Sequence, residues 1–93
     1  MSTLLDVCSE AGKGATFQFK TDLVRIRLEG YDGLVGIIDP AEKVLYYPAL
    51  NDMERRLENV KPIEERKKIF EAYFRVSEVF REHGYTRRYI VDV

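Results

Sequence analysis

The stretch "DLVRIRLEGYDGLVGIIDPAEKVLYY", Asp22 to Tyr47, decides the fold. Its apolar residues recur at alternate positions between turn signals, the pattern of half-buried strands rather than of a helix. "GYDG" at Gly30–Gly33 and "DPAE" at Asp39–Glu42 supply the turns, and Pro40 suits the second position of a type I turn. Upstream, Thr16–Lys20 alternates in the same way and meets Leu23–Glu29 across Thr21-Asp22. That pair lacks the Asn-Gly or Gly-X chemistry that two-residue hairpin loops prefer. The sequence thus predicts a four-stranded antiparallel meander: Thr16–Lys20, Leu23–Glu29, Leu34–Ile38 and Lys43–Tyr47.

If each hairpin closes around the centre of its own loop, Phe19 faces Val24 and Phe17 faces Ile26. Leu28 then faces Val35, Ile26 faces Ile37, Ile37 faces Val44 and Val35 faces Tyr46. Cross-strand partners share a face, so the predicted core face is Phe17, Phe19, Val24, Ile26, Leu28, Val35, Ile37, Val44 and Tyr46. The opposite face divides in two. Gln18, Lys20, Arg25, Arg27 and Glu29 form a solvated half, whereas Leu34, Gly36, Ile38, Leu45 and Tyr47 form an apolar half. An apolar patch of that kind seldom stays bare, and two covers are expected for it: the N-terminal helix folding back, or another molecule.

The N-terminal helix is short. Thr3 can cap it, Asp6 suits its first turn, Leu4, Leu5 and Cys8 share one side, and Gly12 follows its end. "EAGKGATFQF", Glu10 to Phe19, holds a Gly-Lys-Gly that invites comparison with phosphate loops. A phosphate loop leads from a strand into a helix with G-x-x-x-x-G-K-[ST] spacing; here a helix leads into a strand, so the glycines read as a stop and a loop.

Beyond the meander, Asn51 and Glu54 have capping-box spacing for a short helix with Met53, Leu57 and Val60 on one side. Pro62 reads as the first-turn proline of a long helix, Ile63 to His83, ended by Gly84. Glu64, Lys67, Lys68, Glu71, Arg75, Glu78 and Glu82 crowd one sector of it and pair at i,i+4 spacing. The remaining arc carries Ile63, Ile69, Phe70, Ala72, Tyr73, Phe74, Val76, Val79 and Phe80, broader than the stripe of about 100° that a surface helix ordinarily gives to its core. "YTRRYIVDV", Tyr85 to Val93, reads as a last strand with Tyr89, Val91 and Val93 on one side and Arg88, Ile90 and Asp92 on the other. The expected fold class is α+β: a short N-terminal helix, a four-stranded antiparallel meander, a short helix and a long C-terminal helix packed on the sheet, and a final strand, the whole of 1–93 forming one domain.

Composition limits function. The chain has 93 residues, is 45% hydrophobic and 33% charged, and carries a net charge of −1. It is therefore expected to fold, and no overall field draws it to nucleic acid or to an anionic membrane. Its single cysteine, Cys8, rules out an intrachain disulfide and fits a reduced cytoplasmic setting. The first residues lack the basic segment of a signal peptide, and no apolar run approaches membrane-span length, so a cytoplasmic protein without a membrane partner is expected.

Chemistry is poorly supplied. The lone histidine, His83, sits at a helix C-terminus, where it serves the dipole and the last carbonyls. One Cys and one His far apart do not make a zinc site, and the paired carboxylates fall on solvated helix positions. No catalytic, cofactor-binding or metal-binding residues are assigned, and no cofactor. The expected function is that of a small non-enzymatic interaction or regulatory domain, self-associating as a homodimer or binding one protein target. Its apolar surface would comprise Leu34, Ile38, Leu45, Tyr47, Phe70, Tyr73 and Phe74. The alternative is a nucleic-acid-binding module using a basic sheet face of Lys20, Arg25, Arg27, Arg87 and Arg88, with Tyr85 and Tyr89 nearby for stacking.

Overall fold

The computed structural model describes residues 2–89. Its elements run α1 (Leu4–Ala11), β1 (Ala15–Phe19), β2 (Val24–Leu28), β3 (Gly36–Asp39), β4 (Val44–Tyr47), α2 (Leu50–Leu57), α3 (Ile63–Glu82) and β5 (Thr86–Tyr89). The strands form one five-stranded sheet in the order β1-β2-β3-β4-β5. The first four are an antiparallel meander, and β5 returns parallel to β4 after the two helices. The α+β architecture is as expected; the part of the last strand read at 90–93 lies outside the described residues.

All three helices lie on one side of the sheet. Val7, Cys8 and Ala11 of α1, Met53 and Leu57 of α2, and Ile69, Ala72, Tyr73, Val76 and Phe80 of α3 join Val24, Ile26, Leu28, Ile38, Leu45 and Tyr47 in one core cluster. The N-terminal helix does not fold back over the far face of the sheet; it packs against α3, and its loop brings Gly14 so close to Ala72 that a Cβ at Gly14 would stand 3.1 Å from the Ala72 Cβ. A capping box holds its start: the Asp6 N–H donates to Thr3 Oγ1 and the Thr3 N–H donates to the Asp6 carboxylate.

The β1–β2 register is the expected one, with Phe17 opposite Ile26 and Phe19 opposite Val24. The next two hairpins are shifted. Ile26 faces Gly36 rather than Ile37, Ile37 faces Tyr46 rather than Val44, and Ile38 faces Leu45. The side chains of β3 and β4 are therefore turned over relative to the expected face. Ile38, Leu45 and Tyr47 point into the core, while Ile37 and Tyr46 point away. The cause is steric. The Tyr47 ring lies over Gly36, where a Cβ would stand 2.7 Å from Tyr47 Cδ1 and 2.8 Å from the Tyr46 carbonyl oxygen, so only glycine lets this tyrosine turn inward. Val35 is buried as well as Ile38, three residues apart, so the alternation breaks between them.

The apolar half-face expected to need a cover is thus the core itself. Ile38 and Tyr47 are 0% exposed and Leu45 1%.

One helix start differs from expectation, and the ends of the long helix do not. α2 begins at Leu50 after Ala49 and makes no side-chain cap, so Asn51 and Glu54 form no capping box. Arg66 of α3 ties down the chain just past the end of α2, donating to the carbonyls of its C-cap Glu58 and of Val60 at 3.0 and 3.1 Å. α3 follows Pro62 and closes on His83; Gly84 takes φ +85°, a left-handed turn suited to glycine that redirects the chain into β5.

Candidate interaction surfaces

The structure sorts the apolar residues singled out by sequence into two groups. Ile38, Leu45, Tyr47 and Tyr73 are sealed in the core and offer no surface to a partner. Leu34 is 36% exposed in the β2–β3 loop, Phe74 is 49% exposed on α3, and Phe70 is partly buried beside it. Phe70 and Phe74 stack with centroids 6.3 Å apart, and Phe74 meets the edge of Tyr73 at 5.1 Å.

Tyr73 anchors the border between α3 and the end of the sheet. Its ring stacks on Tyr47 at 4.8 Å and 9°. The Tyr47 hydroxyl donates to the Tyr73 carbonyl at 2.9 Å, and the Tyr73 hydroxyl donates to the Pro48 carbonyl at 2.7 Å, so both buried hydroxyls are satisfied. Burial pushes the Tyr47 and Tyr73 phenols up, with Arg87 acting in the opposite sense on both. They stay neutral donors at any physiological pH.

Arg87 belongs to this border and not to the basic face that sequence reading gave it. β5 pairs with β4 so that Arg87 sits beside Leu45 on the helix side of the sheet, whereas Arg88 sits beside Tyr46 on the far side. The Arg87 guanidinium donates to Ser77 Oγ at 3.0 Å, to the Pro48 carbonyl at 2.7 Å and to the Tyr73 hydroxyl. It also lies between 5.3 and 5.5 Å from the ring centres of Tyr47, Tyr73 and Tyr89, within cation–π reach. This arginine bolts β5 to α3 and to the β4–α2 connection.

Beside it runs an open groove of about 830 Å³ between α3 and β5, with Phe74, Ser77, Val79, Tyr85 and Arg87 among its walls. β5 ends the sheet among the described residues, and its outer edge borders this groove. Tyr89, 61% exposed, stands on the same side of β5 as Arg87.

The far face of the sheet carries no helix. One cross-strand row runs over all five strands: Gln18, Arg25, Ile37, Tyr46 and Arg88. Arg27 lies beside this row, opposite Thr16, and Lys20 follows the end of β1. Arg25, Arg88 and Lys20 are exposed and Arg27 is half-buried.

Elsewhere the chemistry is structural. His83 Nε2 lies 2.7 Å from a Glu10 carboxylate oxygen, tying the end of α3 to α1. Cys8 is buried, and desolvation raises its thiol to about 11, which leaves it protonated and unreactive at neutral pH. Among the described residues no group of three or more His, Cys, Asp or Glu side chains could hold a metal ion, and no helix is long and apolar enough to cross a membrane. Comparison with protein families, characterised proteins and solved structures finds no significant match.

Sequence reasoning missed the role of Arg87 and the place of Tyr89 on the helix side of the sheet. The missing information was which face of β5 each residue takes, and that depends on the partner strand. Gly36 was the available signal for the shifted register, since a glycine inside a strand marks close approach by a neighbour.

Proposed function

We propose that this chain is a small non-enzymatic interaction domain of the cytoplasm. It self-associates as a homodimer, or holds one protein target, along the border of α3 and β5. One observation carries the reading: among the described residues the outer edge of β5 is unpaired, beside a groove that exposed Phe74 lines, and the same strand carries exposed Tyr89. A free edge offers a row of backbone donors and acceptors to another strand, and proteins that need no such partner usually blunt or cover it. Aromatic side chains next to an edge add the apolar anchor that strand addition alone lacks. Arg87 supports this use, because its bonds to Ser77, Pro48 and Tyr73 hold the edge strand rigid before a partner arrives. Leu34 lies in the β2–β3 loop, where its carbonyl accepts from Arg56 of α2, and it is no part of this border.

Light scattering across a concentration series tests the reading. The expected result is a concentration-dependent dimer that Phe74→Glu shifts to monomer, with the far-ultraviolet spectrum of the variant unchanged. A strict monomer at the highest attainable concentration removes the homodimer form. A dimer indifferent to both Phe74→Glu and Tyr89→Glu places the contact somewhere other than this border.

A further inference from the structure

The helix-free face of the sheet has no part in that border, and its chemistry points elsewhere. The geometry points to a docking platform for single-stranded nucleic acid, built on the row Arg25, Ile37, Tyr46 and Arg88 with Arg27 beside it.

Charge complementarity identifies the occupant. Each strand presents alternate residues to this side: β2 presents Arg25 and Arg27, and β5 presents Thr86 and Arg88. Arg25, Arg27 and Arg88 all lie more than 4 Å from every carboxylate of the described residues, whereas Arg56 and Arg81 are paired with Asp52 and Glu78. Among the described residues the nearby acids are set aside. Asp39 sits at the end of β3 and accepts the Glu42 N–H within its own turn, and Glu29 follows the end of β2. Between the arginines stand Ile37 and Tyr46, both half-exposed. Three strand spacings separate Arg25 from Arg88, about 14 Å at the usual separation of paired strands, a span that one flat aromatic and one aliphatic side chain floor.

That arrangement suits a flexible polyanion with aromatic faces: phosphates go to the guanidiniums at either side and a base stacks on Tyr46. A second copy of this chain is a poor occupant, since two-fold pairing of the face with itself would set arginines against arginines. The major groove of a duplex admits a helix or a two-stranded ribbon, and the broad face of a five-stranded sheet is neither.

The test uses a fluorescein-labelled oligouridylate of about 12 nucleotides, within the site sizes of single-strand-binding folds, read by anisotropy with the intact chain. Binding is expected at about 50 mM salt. Three arginine–phosphate contacts predict about a twentyfold loss of affinity on going to about 200 mM. Tyr46→Ala is expected to weaken binding about tenfold, the low end for loss of one stacked base, and Arg25→Gln with Arg88→Gln to weaken it and flatten the salt dependence. All three positions lie away from the core, so circular dichroism should be unchanged. The proposal is overturned if the oligonucleotide fails to bind at low salt, or if Tyr46→Ala leaves affinity unchanged. It is equally overturned if polyglutamate or a duplex of the same length competes as well as unlabelled single strand, because the face would then be a generic anion surface. Phe74→Glu serves as a control that should leave this binding intact.

Discussion

The two faces of one sheet, made by the same five strands, have opposite fates. On the helix side Ile26, Ile38 and Tyr47 are 0% exposed and Leu45 1%; on the far side Arg25 and Arg88 are exposed and Ile37 and Tyr46 half-exposed. Adjacent residues of one strand thus serve different tasks, Ile38 stability and Ile37 a surface. The contrast shows that the chain uses most of its apolar side chains internally. The large apolar side chains left exposed are scattered, with Leu5, Phe19, Leu23, Leu34, Leu50 and Ile63 away from the α3–β5 border and Phe74 and Tyr89 on it, a much smaller outlet there than a whole half-face of sheet.

Substitutions on the covered side should cost far more than those on the bare side. The largest effect is expected from Phe80→Ala. Phe80 is 0% exposed, meets the edge of Tyr85 at 5.0 Å and packs against Phe17 at 6.1 Å. Its truncation should cost about 3–5 kcal/mol, measured as a fall in the urea midpoint at constant m-value. Gly36→Ala should cost about 1–3 kcal/mol. Its methyl group would meet the Tyr47 ring and the Tyr46 carbonyl, and a backbone oxygen in a paired strand cannot step aside. If Gly36→Ala proved neutral, the steric cause assigned to the shifted register would be wrong.

A smaller effect should appear with alkali. The Cys8 thiol is raised by burial from 9.0 to about 11, and burial raises the Tyr47, Tyr73 and Tyr85 phenols in the same direction. Between about pH 9 and 11 the unfolded chain releases a thiol proton that the folded chain keeps, so stability should fall as pH rises through that window. The urea midpoint at about pH 10 should lie below that at about pH 8, and Cys8→Ala should narrow the gap. The smallest effects belong to the bare side: Arg25→Gln and Arg88→Gln should each change stability by less than about 0.5 kcal/mol, whatever they do to ligand binding.

Much of the architecture was legible because local rules suffice for it. Thr3 caps α1 and Asp6 lies in its first turn, as their residue types suggest. Pro62 and Gly84 bracket α3, and the short Thr21-Asp22 loop fixes the β1–β2 register at its own centre. The registers of β3 and β4 were not legible from loop length, because the GYDG connection is long enough to absorb one residue either way. What selects the observed register is a distant contact, Tyr47 over Gly36 and under Tyr73, which no local rule contains. The site reading inherited that error. Ile38, Leu45 and Tyr47 were assigned to a surface because one slipped residue exchanges the faces of a strand, and Arg87 was assigned to the basic face because β5 had no known neighbour to fix its orientation. Phe74 escaped the error, since helix periodicity alone places it at the margin of the buried arc.

Both faces of the sheet depend on the orientation of β3, with Ile37 outward and Ile38 inward. Single cysteines placed by Ile37→Cys and by Ile38→Cys, each in a Cys8→Ala background, test it through the rate of maleimide labelling under native conditions. The structure predicts rapid labelling of the Ile37→Cys protein and labelling of the Ile38→Cys protein only on unfolding. Rapid labelling at 38 with protection at 37 would contradict it, and would return the apolar half-face of Ile38, Leu45 and Tyr47 to the surface.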